Sequence, residues 1–117
     1  MTYKEIAEMI DSIGIPCAYY QFPDGTDMAC PFICFYFDYD NDFIAENINY
    51  QPIRTLIVEL YTDNKDFALE QTVEDTLNAN GLVYSRGETY IDSERMNMVT
   101  YTTEILITKE NDNAEQG

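Results

Sequence analysis

The 117-residue sequence contains no histidine and no tryptophan, and only six of its residues are basic. Without an imidazole, the chain lacks the Ser-His and Cys-His pairs that activate nucleophiles, and it lacks the commonest metal ligand. Its longest apolar run, Phe32 to Phe37, is far shorter than the roughly 20 residues of a membrane-spanning helix. The polar, acidic N-terminal sequence is unlike a secretory signal. We therefore expect neither a histidine-dependent enzyme nor a membrane protein.

Cysteine is scarce as well, with Cys17, Cys30 and Cys34 as the three examples. An odd number of cysteines without a secretory signal predicts reduced thiols rather than a disulfide framework. The spacing of Cys30 and Cys34 is that of half a metal site, but no histidine or second cysteine pair completes it. We interpret the cysteines as small apolar residues of strands.

Acidic residues are abundant, with 22 Asp and Glu giving a net charge of −16. Such a chain repels phosphate backbones, so we expect no specific nucleic-acid binding. The carboxylates are too numerous to single out an acid and base pair. The segment Asp38 to Asp42 resembles the start of a calcium loop, but Phe43 and Asn49 stand where that loop needs Gly and Glu. We expect a solvated acidic loop, no metal and no cofactor.

Basic and glycine-containing segments also give no sign of catalysis. The chain has no glycine-rich phosphate loop, and we interpret Arg86-Gly87-Glu88 as an interruption or bulge of a strand. Arg54, Arg86 and Arg95 are expected to pair with neighbouring acids. The sequence therefore predicts a protein that is not an enzyme.

Hydrophobic periodicity predicts one α+β domain over residues 1–108, followed by a disordered acidic tail over residues 109–117. The expected elements are a helix, three strands, a helix and two strands: Tyr3 to Ile13, Cys17 to Phe22, Phe32 to Asp38, Ile53 to Tyr61, Lys65 to Asn80, Leu82 to Ile91 and Asn97 to Thr108. Phe32 to Asp38 is nearly all apolar and is expected to be a central strand. Asp38 to Asn49 is expected to be a loop with a short extended piece at Phe43 to Glu46.

This order favours a two-layer sandwich in which a mostly antiparallel sheet of four or five strands carries both helices on one face. Thr2 and Glu5 form a capping box, Asp63 or Asn64 is expected to cap the second helix, and Asn80-Gly81 to end it. Alternation and helical spacing predict a shared core, and its members are Leu56, Val58, Leu60, Ile10, Val73 and Leu77.

Several segments also resemble a known family when taken in their linear order. They are Met1 to Ile6, Tyr19 to Phe22, Pro31 to Ile33, Leu60 to Phe67, Glu74 to Leu77 followed by Gly81, and Tyr90 to Glu94 followed by Met96. Together they resemble small tail-completion proteins of tailed phages and prophages of gut bacteria. That group is similar to the tail-terminator family of long-tailed phages. The resemblance runs from Met1 to about Ile107.

The resemblance implies a structural protein of the virion tail or neck, assembled in the host bacterial cytoplasm. Tail terminators form a ring, usually hexameric, on the finished tail tube, and the ring joins the tube to the head connector. The expected partners are therefore copies of this chain, the tail-tube protein and the head-connector or neck proteins. A negative surface is compatible with DNA passing through such a ring without adhering to it.

A closed ring repeats one interface, which we expect to involve the loop from Pro23 to Pro31 and the segment from Asp38 to Tyr50. The expected contact residues are Phe22, Asp24, Met28, Phe43, Ile48 and Tyr50. Three alternatives stay open at this point. They are another neck or head-completion protein, an acidic adaptor or inhibitor that mimics nucleic acid, and an enzyme that uses carboxylates alone.

Overall fold

The computed structural model describes residues 1–22, 28–43 and 52–108, with the backbone alone at residues 40–43. The elements in these ranges are α1 (Tyr3–Asp11), β1 (Cys17–Tyr19), β2 (Phe32–Phe43), β3 (Ile53–Thr62), α2 (Phe67–Ala79), β4 (Tyr84–Ile91) and β5 (Met96–Leu106). This order of helices and strands confirms the predicted α+β class. The predicted tail over residues 109–117 lies outside the described residues.

The strands form one five-stranded mixed sheet in the spatial order β1-β2-β3-β5-β4. β1 runs parallel to β2, and the other three neighbouring pairs are antiparallel. β2 lies between β1 and β3, which confirms the prediction that this aromatic strand is an interior one, although the β1 beside it has only three residues. Buried side chains on both of its faces, Ile33, Phe35 and Phe37 on one and Cys34 on the other, account for its apolar sequence.

One face of the sheet, which we call the helix face, packs against both helices. Leu56, Val58 and Leu60 of β3 are completely buried there in one cluster with the helical residues Ile10, Val73 and Leu77. This confirms the predicted core, because alternation along the strand and the helical repeats bring these apolar side chains together. The other face carries no helix of the described ranges, and we call it the open face.

Helix α1 begins at the predicted capping box. The Glu5 amide donates to Thr2 Oγ1 at 3.1 Å, and the Thr2 amide donates to Glu5 Oε1 at 2.8 Å. The helix ends at Asp11, two residues before the predicted end, with Ser12 as its C-cap. Gly14 then adopts a φ of +95°, a conformation that glycine accepts readily.

Helix α2 is capped by Asp66, whose Oδ1 accepts from the Leu69 amide at 3.0 Å. The prediction of Asp63 or Asn64 as the cap was wrong, because the helical turn begins only where the Asp66 carboxylate reaches the amide three residues later. The predicted exit is confirmed: Asn80 is the C-cap, and Gly81 has a φ of +74°.

Two strand boundaries differ from the prediction by three residues or more, and the other strands differ by one or two residues. β2 continues to Phe43, where a loop was expected from Asp38, because Thr55 and Ile53 of β3 pair with Asp38 and Phe43 across an irregular stretch of the ladder. The hydrogen bonds available from β3 thus outweigh the acidic composition of this segment. β1 ends at Tyr19 rather than Phe22, because Tyr20 has a φ of +69° and leaves the extended conformation.

The hairpin of β4 and β5 is regular throughout. β4 pairs with β5 residue by residue from Tyr84 to Ile91, and Gly87 lies opposite Thr100. The prediction of an interruption or bulge at Gly87 was therefore wrong. The register that the β5 ladder imposes holds the glycine in the strand, although glycine has a low strand propensity.

Candidate interaction surface

An aromatic cluster occupies the open face where β1, β2 and β3 lie side by side. The Phe32 ring stacks on Tyr61, its ladder partner, with 4.8 Å between centroids. The Phe22 ring meets the Phe32 ring edge-on, with 5.5 Å between centroids, and the centroids of the Tyr20 and Tyr36 rings are 5.3 Å apart. Such cross-strand ring pairs stabilise a sheet and leave a rigid apolar surface. We call these five residues the open-face cluster.

The carboxylate of Glu59 accepts hydrogen bonds from two tyrosines of this cluster. The Tyr61 hydroxyl donates to Glu59 Oε1 at 2.8 Å, and the Tyr36 hydroxyl donates to Oε2 at 3.3 Å. Burial raises the pKa of both tyrosines, and the nearby Glu59 adds to the effect. Burial and Glu59 also raise the pKa of the Cys34 thiol to about 11. These hydroxyl and thiol groups therefore stay protonated near neutral pH, which disfavours nucleophilic chemistry here.

A second cluster lies on the helix face at the same side of the sheet. Tyr3 of α1 meets Phe37 edge-on at 5.2 Å, and Tyr19 meets Phe35 edge-on at 5.5 Å. Tyr39 lies 6.3 Å from Phe37. Together with Ala7, these rings line a shallow hollow of about 340 Å³. We call these five aromatic residues the helix-face cluster.

Arg54 brings a positive charge to the helix-face cluster. Its guanidinium carbon lies 5.1 Å from the centroid of the Tyr39 ring, and its Nε donates to the Tyr3 hydroxyl at 3.4 Å. A cation over a ring face is attracted by the quadrupole of the ring. One of the few basic residues of this acidic chain therefore lies next to the hollow.

The open-face and helix-face clusters together form an aromatic flank around β2. Its outer strand β1 pairs only with Ile33, Cys34 and Phe35, whereas β2 is 12 residues long. Tyr20 and Tyr39 on this flank are 65% and 54% exposed. Rigid aromatic side chains are enriched at protein interfaces, and contiguous exposed apolar surface marks interaction sites. We identify the aromatic flank as the candidate interaction surface.

The structure describes half of the predicted contact residues. Phe22 is half-buried against Phe32, Met28 is half-buried just before β2, and Phe43 is the last residue of β2, opposite Ile53. Phe22 and Phe43 therefore lie at opposite ends of β2, on the order of 30 Å apart at strand spacing. They cannot share one compact patch. The remaining predicted residues, Asp24, Ile48 and Tyr50, lie outside the described residues.

A charged network joins α2 to β4 on the far side of the helix face. Glu70 is 3% exposed, and its Oε1 accepts from Lys65 Nζ at 2.8 Å and from Arg86 Nη2. Its other carboxylate oxygen, Oε2, has no hydrogen-bond partner. A buried carboxylate needs such compensation, because burial of an unpaired charge is costly.

The same cations hold two further carboxylates. Arg86 Nε lies 3.4 Å from Glu74 Oε2, and Arg86 Nη2 lies 3.5 Å from Glu88 Oε1. Lys65 Nζ lies 2.7 Å from the same oxygen of Glu88. The hydrogen bond from Lys65 lowers the pKa of Glu88. The Tyr101 hydroxyl donates to Glu74 Oε2 at 2.8 Å, and burial together with this bond raises the Tyr101 pKa. The arrangement neutralises charge between helix and sheet, and it confirms that Arg86 pairs with nearby acids.

Sequence reasoning missed this network, although a signal was present. Glu70, Val73 and Leu77 have the spacing of one helical stripe, so a carboxylate occupies an otherwise buried face. A charge at such a position indicates a buried ion pair. The partners could not be identified from the sequence, because Lys65 and Arg86 reach Glu70 only through the packing of α2 on β4.

The described residues show no arrangement for metal chemistry. Among residues 1–22, 28–39 and 52–108, no three Cys, Asp or Glu side chains are grouped to hold a metal ion. Of the acidic run from Asp38 to Asp42, only Asp38 and Tyr39 have described side chains. The expected absence of a calcium site there stays a prediction.

The other two cysteines resemble Cys34 in their titration. Burial is the main cause that raises the pKa of the Cys17 and Cys30 thiols.

Comparison with known proteins gives no relative: no family model matches this chain, and no curated protein matches it. Within the described ranges, neither helix is long and apolar enough to cross a membrane.

Proposed function

We propose that this protein is a structural component of a phage tail and not an enzyme. In this proposal it is a tail terminator, whose ring ends the tail tube and joins it to the head connector. Copies of this chain, the tail-tube protein and a neck protein are its partners. The finished ring belongs to the virion.

The observation that carries the proposal is the aromatic flank. Rigid, partly exposed rings lie on both faces of β2, beside a strand of only three residues. The helix-face cluster lines a shallow hollow and not an enclosed pocket, and burial raises the pKa of Tyr36, Tyr61 and the neighbouring Cys34 thiol, which keeps these three groups protonated near neutral pH. Such a surface is suited to protein contacts rather than to turnover of a substrate.

The separation of Phe22 and Phe43 at the two ends of β2 fits a ring. In a closed ring every subunit presents two different surfaces to its two neighbours, so contact residues need not form one patch. The resemblance to tail-completion proteins supplies the identity of the assembly. The net charge of −16 is compatible with a channel that DNA crosses without adhering.

Deletion of the gene from the phage genome that carries it tests the proposal directly. Tails of uncontrolled length that do not join heads are the expected result in electron micrographs. Tails of normal length joined to heads would overturn the tail-terminator function. In that case the acidic adaptor or inhibitor would become the better interpretation, and it would be tested by capture of a basic partner.

Complementation of the deletion then tests the aromatic flank. We expect the variant Y20N/Y39S to fail in restoring tail length, because it removes exposed rings from both clusters. Asn is chosen at position 20 because it tolerates the positive φ of Tyr20. The matched control is Phe67→Ser at the start of α2, where the ring is 74% exposed but lies outside the flank. Equal complementation by the two variants would exclude the flank as the ring contact.

A further inference from the structure

The opposite edge of the sheet, formed by β4, has an unusual sequence. Among the described residues β4 pairs only with β5, so its outer backbone edge has no strand partner. The strand reads Tyr-Ser-Arg-Gly-Glu-Thr-Tyr from Tyr84 to Tyr90. Residues that lie equally far before and after Gly87 in this strand are either similar or opposite in charge. A strand with this symmetry is able to pair with a second copy of itself.

We propose that two copies of this chain pair through β4, antiparallel and centred on Gly87, to form a two-fold dimer with a continuous ten-stranded sheet. In this register Arg86 lies opposite Glu88 of the second copy, and Glu88 lies opposite its Arg86. Opposite charges that face each other across an antiparallel pair are favourable. The same register places Tyr84 opposite Tyr90 and Ser85 opposite Thr89.

The exposure of the flanking residues supports this pairing. Val83, just before β4, is 86% exposed, although valine is apolar, and Tyr90 is 54% exposed. In the proposed register Val83 meets Ile91 of the second copy, so the apolar side chain is covered. A shift of the register by one residue would place Arg86 opposite a glycine or a threonine of the second copy, so Arg86 and Glu88 would no longer face each other.

Charge gives a further reason why the second copy pairs here. A subunit with a net charge of −16 repels another one, so a contact between copies is favoured where it has a cation at its centre. β4 is an exposed edge that carries an arginine, and the side chains of Arg86 and Glu88 are each 35% exposed. Both remain partly accessible to a partner while they take part in the network with Glu70.

Gly87 also fits the proposal. Its φ is not in the left-handed region, and a Cβ built at this position meets no atom within 4 Å. The fold of the single chain therefore does not require glycine here. Glycine inside a strand often marks a place where another backbone approaches closely.

Cysteine cross-linking tests the register, because a residue on the two-fold axis faces itself. The Cα atoms of an antiparallel pair are about 4.5–5.5 Å apart, which a disulfide spans. Under mild oxidation we expect G87C to form a covalent dimer of twice the mass. Position 89 faces position 85, and its own copy lies about 13 Å away. S85C and T89C should therefore form dimers only when the two proteins are mixed.

The unmodified chain provides the control for its native cysteines. A G87C protein that stays monomeric under conditions that oxidise an exposed thiol would overturn the proposal. Efficient linking of T89C to itself would overturn the register. A folded G87C protein, checked by an unchanged unfolding transition before oxidation, makes either result decisive.

Val83→Lys gives a second test without cysteine. A lysine at this exposed position blocks the edge and should return the protein to the monomer in sedimentation at about 0.5 M salt, where repulsion is screened. The control is Phe67→Lys, which makes the same charge change at another exposed residue and should leave the dimer intact. Equal loss of the dimer in both variants would contradict pairing through β4. The outcome is independent of the tail-terminator proposal, because neither arm uses the aromatic flank or a phage.

Discussion

The buried carboxylate of Glu70 allows a sharp test of the folded structure through Arg86→Met. The substitution keeps an unbranched apolar stem but removes one of the two cations that bind Glu70 Oε1. The carboxylate is then left with Lys65, while its Oε2 stays without a partner. We expect R86M to lower the free energy of unfolding, because a buried charge loses part of its compensation.

The expected size of this loss of stability follows from how far the Arg86 and Glu70 side chains are exposed to solvent. Removal of one partner of a buried ion pair usually costs about 3–5 kcal/mol. The Arg86 side chain is 35% exposed and Lys65 remains 2.8 Å from the carboxylate, so solvent and the second cation compensate part of that loss. We expect roughly half of the usual cost, about 1.5–2.5 kcal/mol. For a domain of this size this loss corresponds to a lowering of Tm by roughly 6–10 °C.

Urea unfolding, followed by circular dichroism at a concentration where the protein is monomeric, measures this difference. Arg95→Met is the matched control, because it removes the same charge from an exposed position in the β4–β5 turn. The double variant E70Q/R86M should lose less stability than R86M alone, because the buried charge is gone as well. Equal stabilities of R86M and R95M would refute the reasoning.

Three further perturbations test other parts of the fold. Leu77→Ala should cost about 2–5 kcal/mol in urea unfolding, because Leu77 is completely buried, whereas Leu106→Ala at a half-exposed site should cost much less. Asp66→Ala should cost about 1 kcal/mol through loss of the α2 cap, and a helix as stable as before would contradict that assignment. Burial raises the Tyr61 pKa from its ordinary value near 10, so folding stability is present below about pH 10 and falls as the pH rises further. Tyr61→Phe should flatten this alkaline decline, and an unchanged slope would argue against a buried Tyr61.

The order of elements could be predicted because the local patterns are strong. The capping box at Thr2 and Glu5, the exit at Gly81 and the alternation of Leu56, Val58 and Leu60 each depend on near neighbours in the sequence. These features agree with the structure because local propensity and tertiary packing favour the same conformation. The shared burial of the β3 and helical residues follows from the same periodicities.

Features that depend on a partner far away in the sequence could not be predicted. The acidic end of β2 is a strand only because the start of β3 supplies its ladder partners. Phe67 is apolar and begins α2, yet it is exposed and its ring centroid lies 4.9 Å from Lys65 Nζ, because Asp66 caps the helix with position 67 facing outward. Sequence spacing does not determine the rotation of a helix on its sheet.

The predicted contact residues show the same limit. Phe22, one of the predicted contact residues, contributes a ring to the open-face cluster. The helix-face cluster was not predicted as a surface, since Tyr3, Tyr19 and Tyr39 come from three separate elements. The pairing of β1 with β2 and the packing of α1 on the sheet bring these tyrosines together.

The two edges of this sheet offer an acidic subunit two different kinds of contact with other copies of the chain. The β1 side presents the aromatic flank with Arg54 near its hollow, and the β4 side presents Arg86 within a self-complementary strand. The net charge of −16 opposes contacts between copies at either edge, so salt should strengthen such contacts by screening that repulsion. Short-range complementarity then selects the contact: rings favour burial of apolar surface, whereas β4 favours a backbone ladder in one register. Because the flank and β4 lie at opposite edges, a subunit paired through β4 still has its aromatic flank free for a different neighbour.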